Sequence, residues 1–307
     1  MPTKAKTKTK AAAKTEALGQ YTRFDWSMKR LLRNKADYVV LDGFLTALLG
    51  EEIKITALLE SEGNKETADS RSNRVDLLAQ DSNKRKIIIE IQNNRELDYF
   101  QRMLFGTAKV VTDFIEKGQE YGKIGRIFSV NIVYFKLGAG DDYVYRGRTE
   151  FRGIHTNDLL ALSEEQLKRF IACKEVSEIF PEYYVLRVGF FDKPPANPLD
   201  EWLYFLKNDE IPKKFKAPGL KEARERLRVD RLTPAERRAY LNHLDATRHE
   251  STIDESIWVE ATVTKAVEVT RKMLAKGATH EFISEVTNLS LASIQRISQT
   301  PPDKKPQ

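Results

Sequence analysis

One seven-residue segment constrains this chain more than any other: KIIIEIQ, residues 86–92. Three consecutive isoleucines and a fourth after the acid demand a buried strand, since β-branched residues favour that geometry. Side chains alternate along a strand, so Ile87, Ile89 and Ile91 share one face while Ile88, Glu90 and Gln92 share the other. A carboxylate carried into such a strand costs several kcal/mol in desolvation unless it is paired, protonated or bound to a cation. Glu90 therefore needs a partner.

The preceding extended segment, RVDLLA (74–79), offers Asp76, which shares a face with Leu78. A turn spanning Gln80–Lys84 closes a hairpin that brings Asp76 beside Glu90. Two carboxylates converging on a sheet surface make a hard oxygen site suited to Mg²⁺, with Mn²⁺ as the alternative ion. The backbone carbonyl of Ile91 is a candidate further ligand. Such an ion activates water and neutralises charge on a phosphate under attack. The spacing, Asp-x₁₃-Glu-x-Gln, is loose, and it also accommodates an exposed strand face with two unrelated acids.

Around this hairpin the pattern reads as alternating helices and strands. Residues 25–33 form a short helix and 37–49 a stronger one, with Val40, Leu41, Phe44, Leu45, Leu48 and Leu49 at helical spacing and Gly50 at the C-terminal cap. Residues 53–59 are extended and 60–73 a polar loop. A helix over 97–115, a strand over 127–137 and an edge strand over 143–151 follow. The order α, β, β, β, α, β from residue 37 to 137 implies a mixed sheet in an α/β core. Beyond it, 157–170 and 199–207 read as helices and 183–191 as a further strand. Residues 271–298 have a helix–turn–helix pattern whose small core is Ile283, Val286, Leu289, Ile294 and Ile297, with Asn288 at a left-handed turn position. Arg296 is the lone base in its second helix, so a helical pair that packs or associates is favoured over base readout.

The segments FDWSMKRLL (24–32), YVVLDGFLTALLG (38–50), RVDLLAQDSNKRKIIIEIQ (74–92) and YFQRMLFGTAKVVTDFIEKGQEYGKIGRIFSVNIVYF (99–135) together resemble the PD-(D/E)XK nucleases. More closely they resemble the bacterial transposase-associated, recombination-promoting branch of that superfamily. The likeness covers about residues 21–190. It implies a restriction-endonuclease-like mixed sheet flanked by helices, with a mainly helical C-terminal region. It also implies metal-dependent hydrolysis of DNA phosphodiester bonds, associated with transposition or recombination. Carried over by position, Asp76 and Glu90 hold the metal, and Gln92 occupies the place of the superfamily's lysine. Gln can hydrogen bond there but brings no charge, which leaves the source of positive charge open. Arg102, on the next helix, is a candidate to supply it, the plainer role being a helix-surface salt bridge with Asp98. Asp42 is a candidate further acid, or simply a surface one. A catalytically degenerate fold acting as a DNA- or protein-binding module is the alternative activity.

Charge separates these readings from that of a uniformly basic coat protein. The net charge is +6, yet residues 1–20 contribute +4 and residues 211–238 contribute +6, with ten bases against four acids. DNA is the partner expected, held by the basic segments; a homodimer is compatible with the sequence but not demanded by it. Residues 1–20 and 301–307 read as tails, 21–192 as the nuclease-like core and 193–300 as the helical region. One cysteine, Cys173, excludes an intramolecular disulfide and suits a reducing compartment. No stretch approaches the ~20 apolar residues of a membrane span, so a cytoplasmic protein without membrane contact is expected. The four histidines lack metal-ligand spacing, and surface or core roles are expected for all of them.

Overall fold

The isoleucine-rich segment forms β3 (Lys86–Gln92), one of the two central strands of a six-stranded sheet. The computed structural model describes residues 19–31, 38–59, 77–113, 125–169 and 173–299. The expected N-terminal and C-terminal tails and the 60–73 loop therefore lie outside the described residues, save Gly19 and Gln20. The other strands are β1 (Ile55–Leu58), β2 (Leu77–Asp81), β4 (Ile127–Val133), β5 (Val144–Gly147) and β6 (Glu182–Arg187). Their spatial order is β1-β2-β3-β4-β6-β5. The β1–β2, β2–β3 and β5–β6 pairs are antiparallel, whereas β3–β4 and β4–β6 are parallel. The sheet is thus mixed, and β5 is an edge strand as its alternation suggests.

Helices cover both faces. On one side lie α1 (Phe24–Leu31), α2 (Tyr38–Leu49), α5 (Pro198–Asn208) and α6 (Leu220–Arg226), joined to Ile87, Ile89, Phe128, Val130 and Ile132 in the main core. Phe24, Phe44, Trp202 and Phe205 meet there edge to face, with ring centroids about 6 Å apart, the arrangement favoured by the aromatic quadrupole. On the other side α3 (Tyr99–Asp113) covers two smaller clusters. One contains Tyr99, Met103, Val133 and Val185; the other contains Leu78, Ile88, Val110 and Ile127. Gly50 has φ +73° and donates its N–H to the carbonyl of Thr46, ending α2 as its sequence implies.

Two compact units divide the chain, 1–244 and 245–307. The division expected between residues 192 and 193 falls inside the first unit, where Trp202, Phe205, Leu220 and Leu227 complete the main core. The helix expected over 157–170 is confined to α4 (Glu164–Arg169). Its first half is a turn instead: Asn157 takes φ +60°, and Arg152 and Leu159 form an antiparallel bridge. A left-handed residue cannot propagate a helix. The long helix α7 (Pro234–Ala275) ends the first unit and begins the second, which also holds α8 (His280–Thr287) and α9 (Leu291–Gln299). In that unit Ile283 and Ile294 are fully buried, joined by Thr270. Asn288 stands at φ +55° between α8 and α9. Val286, expected in this small core, is about half exposed, because the short pair of helices has only one inward stripe.

Candidate active site

Glu90 is the centre of the site, and strand alternation puts it there. Its side chain turns away from the main core with that of Ile88 and is only 5% exposed. The helix α3 runs over it. Arg102 Nε lies 3.6 Å from Glu90 Oε2, and Arg102 Nη1 donates to Glu96 Oε2 at 2.8 Å. These two pairs replace the salt bridge expected with Asp98: the guanidinium reaches down to the sheet and back to the loop before α3, rather than along its own helix. Burial disfavours the charged guanidinium, but the Glu90 carboxylate and the Glu96 hydrogen bond outweigh it and hold the pKa above its ordinary value. Gly106 faces the same carboxylate, and a Cβ there would stand 3.5 Å from Glu90 Oε1, in ordinary contact.

Beside Glu90 in the parallel ladder is Asn131 of β4, fully buried. Its amide donates to the Ser129 carbonyl, the Ser129 hydroxyl and the Tyr184 carbonyl, while its oxygen accepts from the Tyr99 hydroxyl at 3.3 Å. Glu90, Asn131 and Ser129 thus form a polar seam under α3, between its two apolar clusters. One row further, Gln92, Val133 and Arg187 are aligned across β3, β4 and β6. Gln92 is half-buried, and its amide donates to the Asn94 carbonyl at 3.3 Å.

Arg187 is 1% exposed. Its Nη1 donates to the Gly140 carbonyl at 2.9 Å, and its guanidinium stacks 3.9 Å from the Phe190 ring centroid. Nothing in the apolar run around it marks this arginine in the sequence, and only the strand register aligns it with Gln92.

Asp76 lies outside the described residues. Ile91 turns its side chain to the main core. Asp42 is half-buried on α2 and accepts the Ile55 N–H at 2.8 Å, tying that helix to the start of β1; burial raises its pKa. Among the described residues no group of three or more His, Cys, Asp or Glu is arranged to hold a metal ion. At this site stands the buried Glu90 carboxylate, of the hard oxygen type that Mg²⁺ accepts, with Arg102 beside it. Cys173 is half-buried, and burial, reinforced by Glu178, pushes its thiol above the ordinary range, the opposite of an activated nucleophile.

A second polar network has no counterpart in the sequence motifs. Asp25 of α1 is nearly buried, and its carboxylate accepts from Arg23, from the Trp26 N–H and from the Asn93 amide. Arg23 also donates to Asn93 at 2.9 Å, and His243 Nε2 stands 3.3 Å from Asp25 Oδ2. Asn93 follows Gln92 directly, so the network abuts the end of the strand that carries Glu90. Burial opposes ionisation of Asp25, yet the His243 and Arg23 contacts prevail and hold its carboxyl well below the usual carboxylate range. An acid in the first turn of a helix is the single local signal.

With this geometry in place, comparison with known proteins identifies the family. The model of the PD-(D/E)XK nuclease family transposases matches residues 22–256, which includes every element of the sheet. No curated protein and no solved structure matches the chain. A family match over more than half the length, on a mixed six-stranded sheet flanked by helices, shows that the chain belongs to the PD-(D/E)XK nuclease family transposases.

Proposed function

We infer that the protein is a divalent-metal-dependent DNA endonuclease, acting in transposition or recombination. The observation that carries this reading is Glu90, a carboxylate buried on an isoleucine-rich strand and faced by Arg102 at 3.6 Å. The antiparallel register supports Asp76 as its partner. Leu77 pairs with Ile89 and Leu78 with Ile88, a register that would bring the preceding residue to Glu90 if it continued by one step. Asp76, Glu90 and the Ile91 carbonyl would hold Mg²⁺ or Mn²⁺. When bound, such an ion supplies Lewis acidity and a water of lowered pKa. Gln92 would orient by hydrogen bonding, and the Arg102 guanidinium, 3.6 Å from Glu90, would be placed to contact a phosphate oxygen. The single half-buried thiol agrees with a reducing, cytoplasmic setting, and no described helix is long and apolar enough to cross a membrane.

Gln92 favours a second reading, a fold that binds DNA or a protein without cutting it, because its amide brings no charge and is engaged with Asn94. Plasmid cleavage separates the two. Wild type is expected to nick or linearise DNA with Mg²⁺ or Mn²⁺ and not with EDTA. Asp76→Ala and the near-isosteric Glu90→Gln are expected to lose cleavage while keeping their circular dichroism. Equal cleavage by all three proteins would overturn the assignment. Absence of both cleavage and metal binding by calorimetry would instead select the binding module.

A further inference from the structure

The second half of α7 belongs to the unit that begins at Asp245. From Thr252 to Lys265 every described side chain is exposed. They include Ile253, Ile257, Trp258, Val259 and Val263, each between 44% and 59% exposed. Helices with apolar residues on several sides are ordinarily buried ones. Exposed apolar side chains in this number on one helical segment mark an interaction site, and an exposed tryptophan is the residue type most often found at the energetic centre of an interface.

Charge along the same helix indicates which partner fits. Residues 245–260 carry five acids against one base, a net of −4; residues 261–276 carry four bases against one acid, a net of +3. Two such helices side by side in parallel would set acid beside acid and base beside base. Placed antiparallel about a two-fold axis between Glu260 and Ala261, each acidic half meets a basic half. Ile253, Ile257 and Ala261, at successive i+4 positions, then form a continuous seam, and Trp258 of each copy lies close to the axis. The helix is therefore complementary to itself in charge when the two copies run antiparallel.

We propose that residues 245–276 are a self-association surface, through which two copies of the chain pair antiparallel along α7. The full-length protein tests this by sedimentation equilibrium. Wild type is expected at twice its 35.3 kDa mass at micromolar concentration, with dissociation promoted by 1 M salt. Ile257→Asp/Trp258→Asp is expected at the monomer mass, with unchanged circular dichroism. Arg271→Glu/Lys272→Glu leaves the apolar seam intact, and its dimer is expected to dissociate at a concentration roughly fivefold higher. In a Cys173→Ser background, Ala261→Cys is expected to form an intermolecular disulfide and Ile253→Cys to form little. A monomeric wild type, a dimer indifferent to Ile257→Asp/Trp258→Asp, or equal cross-linking at residues 253 and 261 would each overturn the proposal.

Discussion

Asp209 shows how one residue inherits its chemistry from distant neighbours. It caps α5 with φ +53°, and its N–H donates to the Phe205 carbonyl. Burial is the main force on its carboxyl; Arg23 pulls the pKa back and Asp25 pushes it further, leaving it at about 7. The unfolded chain has an ordinary value near ~3.9. Between these values the folded state holds a proton that the unfolded state has released. Stability from this group is therefore complete below about pH 4 and is lost as pH rises to about 7. Asp209→Asn is neutral at every pH, and Asn tolerates a left-handed backbone. The variant is expected to match wild type near pH 4 and to exceed it by up to about 4 kcal/mol at pH 8. Urea unfolding at both pH values checks this, and parallel stability profiles would refute it.

At the scale of elements, the close approach of α2 to the turn before α6 depends on two glycines. A Cβ on Gly43 would run into the Pro218 carbonyl and the backbone of Gly219, while Gly219 itself has φ +79°. Backbone on both sides leaves nothing flexible to yield. Gly43→Ala is expected to cost about 3 kcal/mol by forcing the two elements apart, read as a lowered midpoint in thermal unfolding. Gly106 is the contrast: its neighbour is a side-chain oxygen at 3.5 Å, so Gly106→Ala is expected to change stability by less than about 1 kcal/mol. Elements whose identity rests on local pattern were legible in the sequence. They include α2 with its glycine cap, β3 with its inward acid, β5 at the edge, and Asn288 between α8 and α9. Where a neighbour overrides the pattern, legibility fails. The Asn157 turn, held by the Asn157 N–H donating to the Gly153 carbonyl and the Gly153 N–H donating to the Asp158 carbonyl, displaces the start of an expected helix.

For the molecule as a whole, the net charge of +6 conceals its distribution. Residues 211–238 hold a local +6, and Lys213, Lys214, Lys216 and Lys221 in that segment are exposed. Part of the segment is internally neutralised, as Arg228 pairs with Asp230 and Arg231 with Glu225. If the exposed lysines hold DNA backbone, Lys213→Ala/Lys214→Ala/Lys216→Ala lowers affinity similarly for all sequences. It is also expected to reduce the slope of log affinity against log salt by about 2–3, since each phosphate that a lysine neutralises adds about 0.9 to that slope. Fluorescence anisotropy over a salt titration measures the slope, and an unchanged value would exclude these lysines from the interface. The strand that carries Glu90, the face Glu90 occupies and its need for a compensating group can all be read from KIIIEIQ, because alternation and burial act between adjacent residues. Its surroundings come from the packing of distant segments: Arg102 beside it, Asn131 alongside, Arg187 one row on, and the Asp25 network at the strand's end. Asp25 meets Asn93 across 68 residues and His243 across 218, and contacts of that range arise from packing whole elements together, which no local pattern encodes.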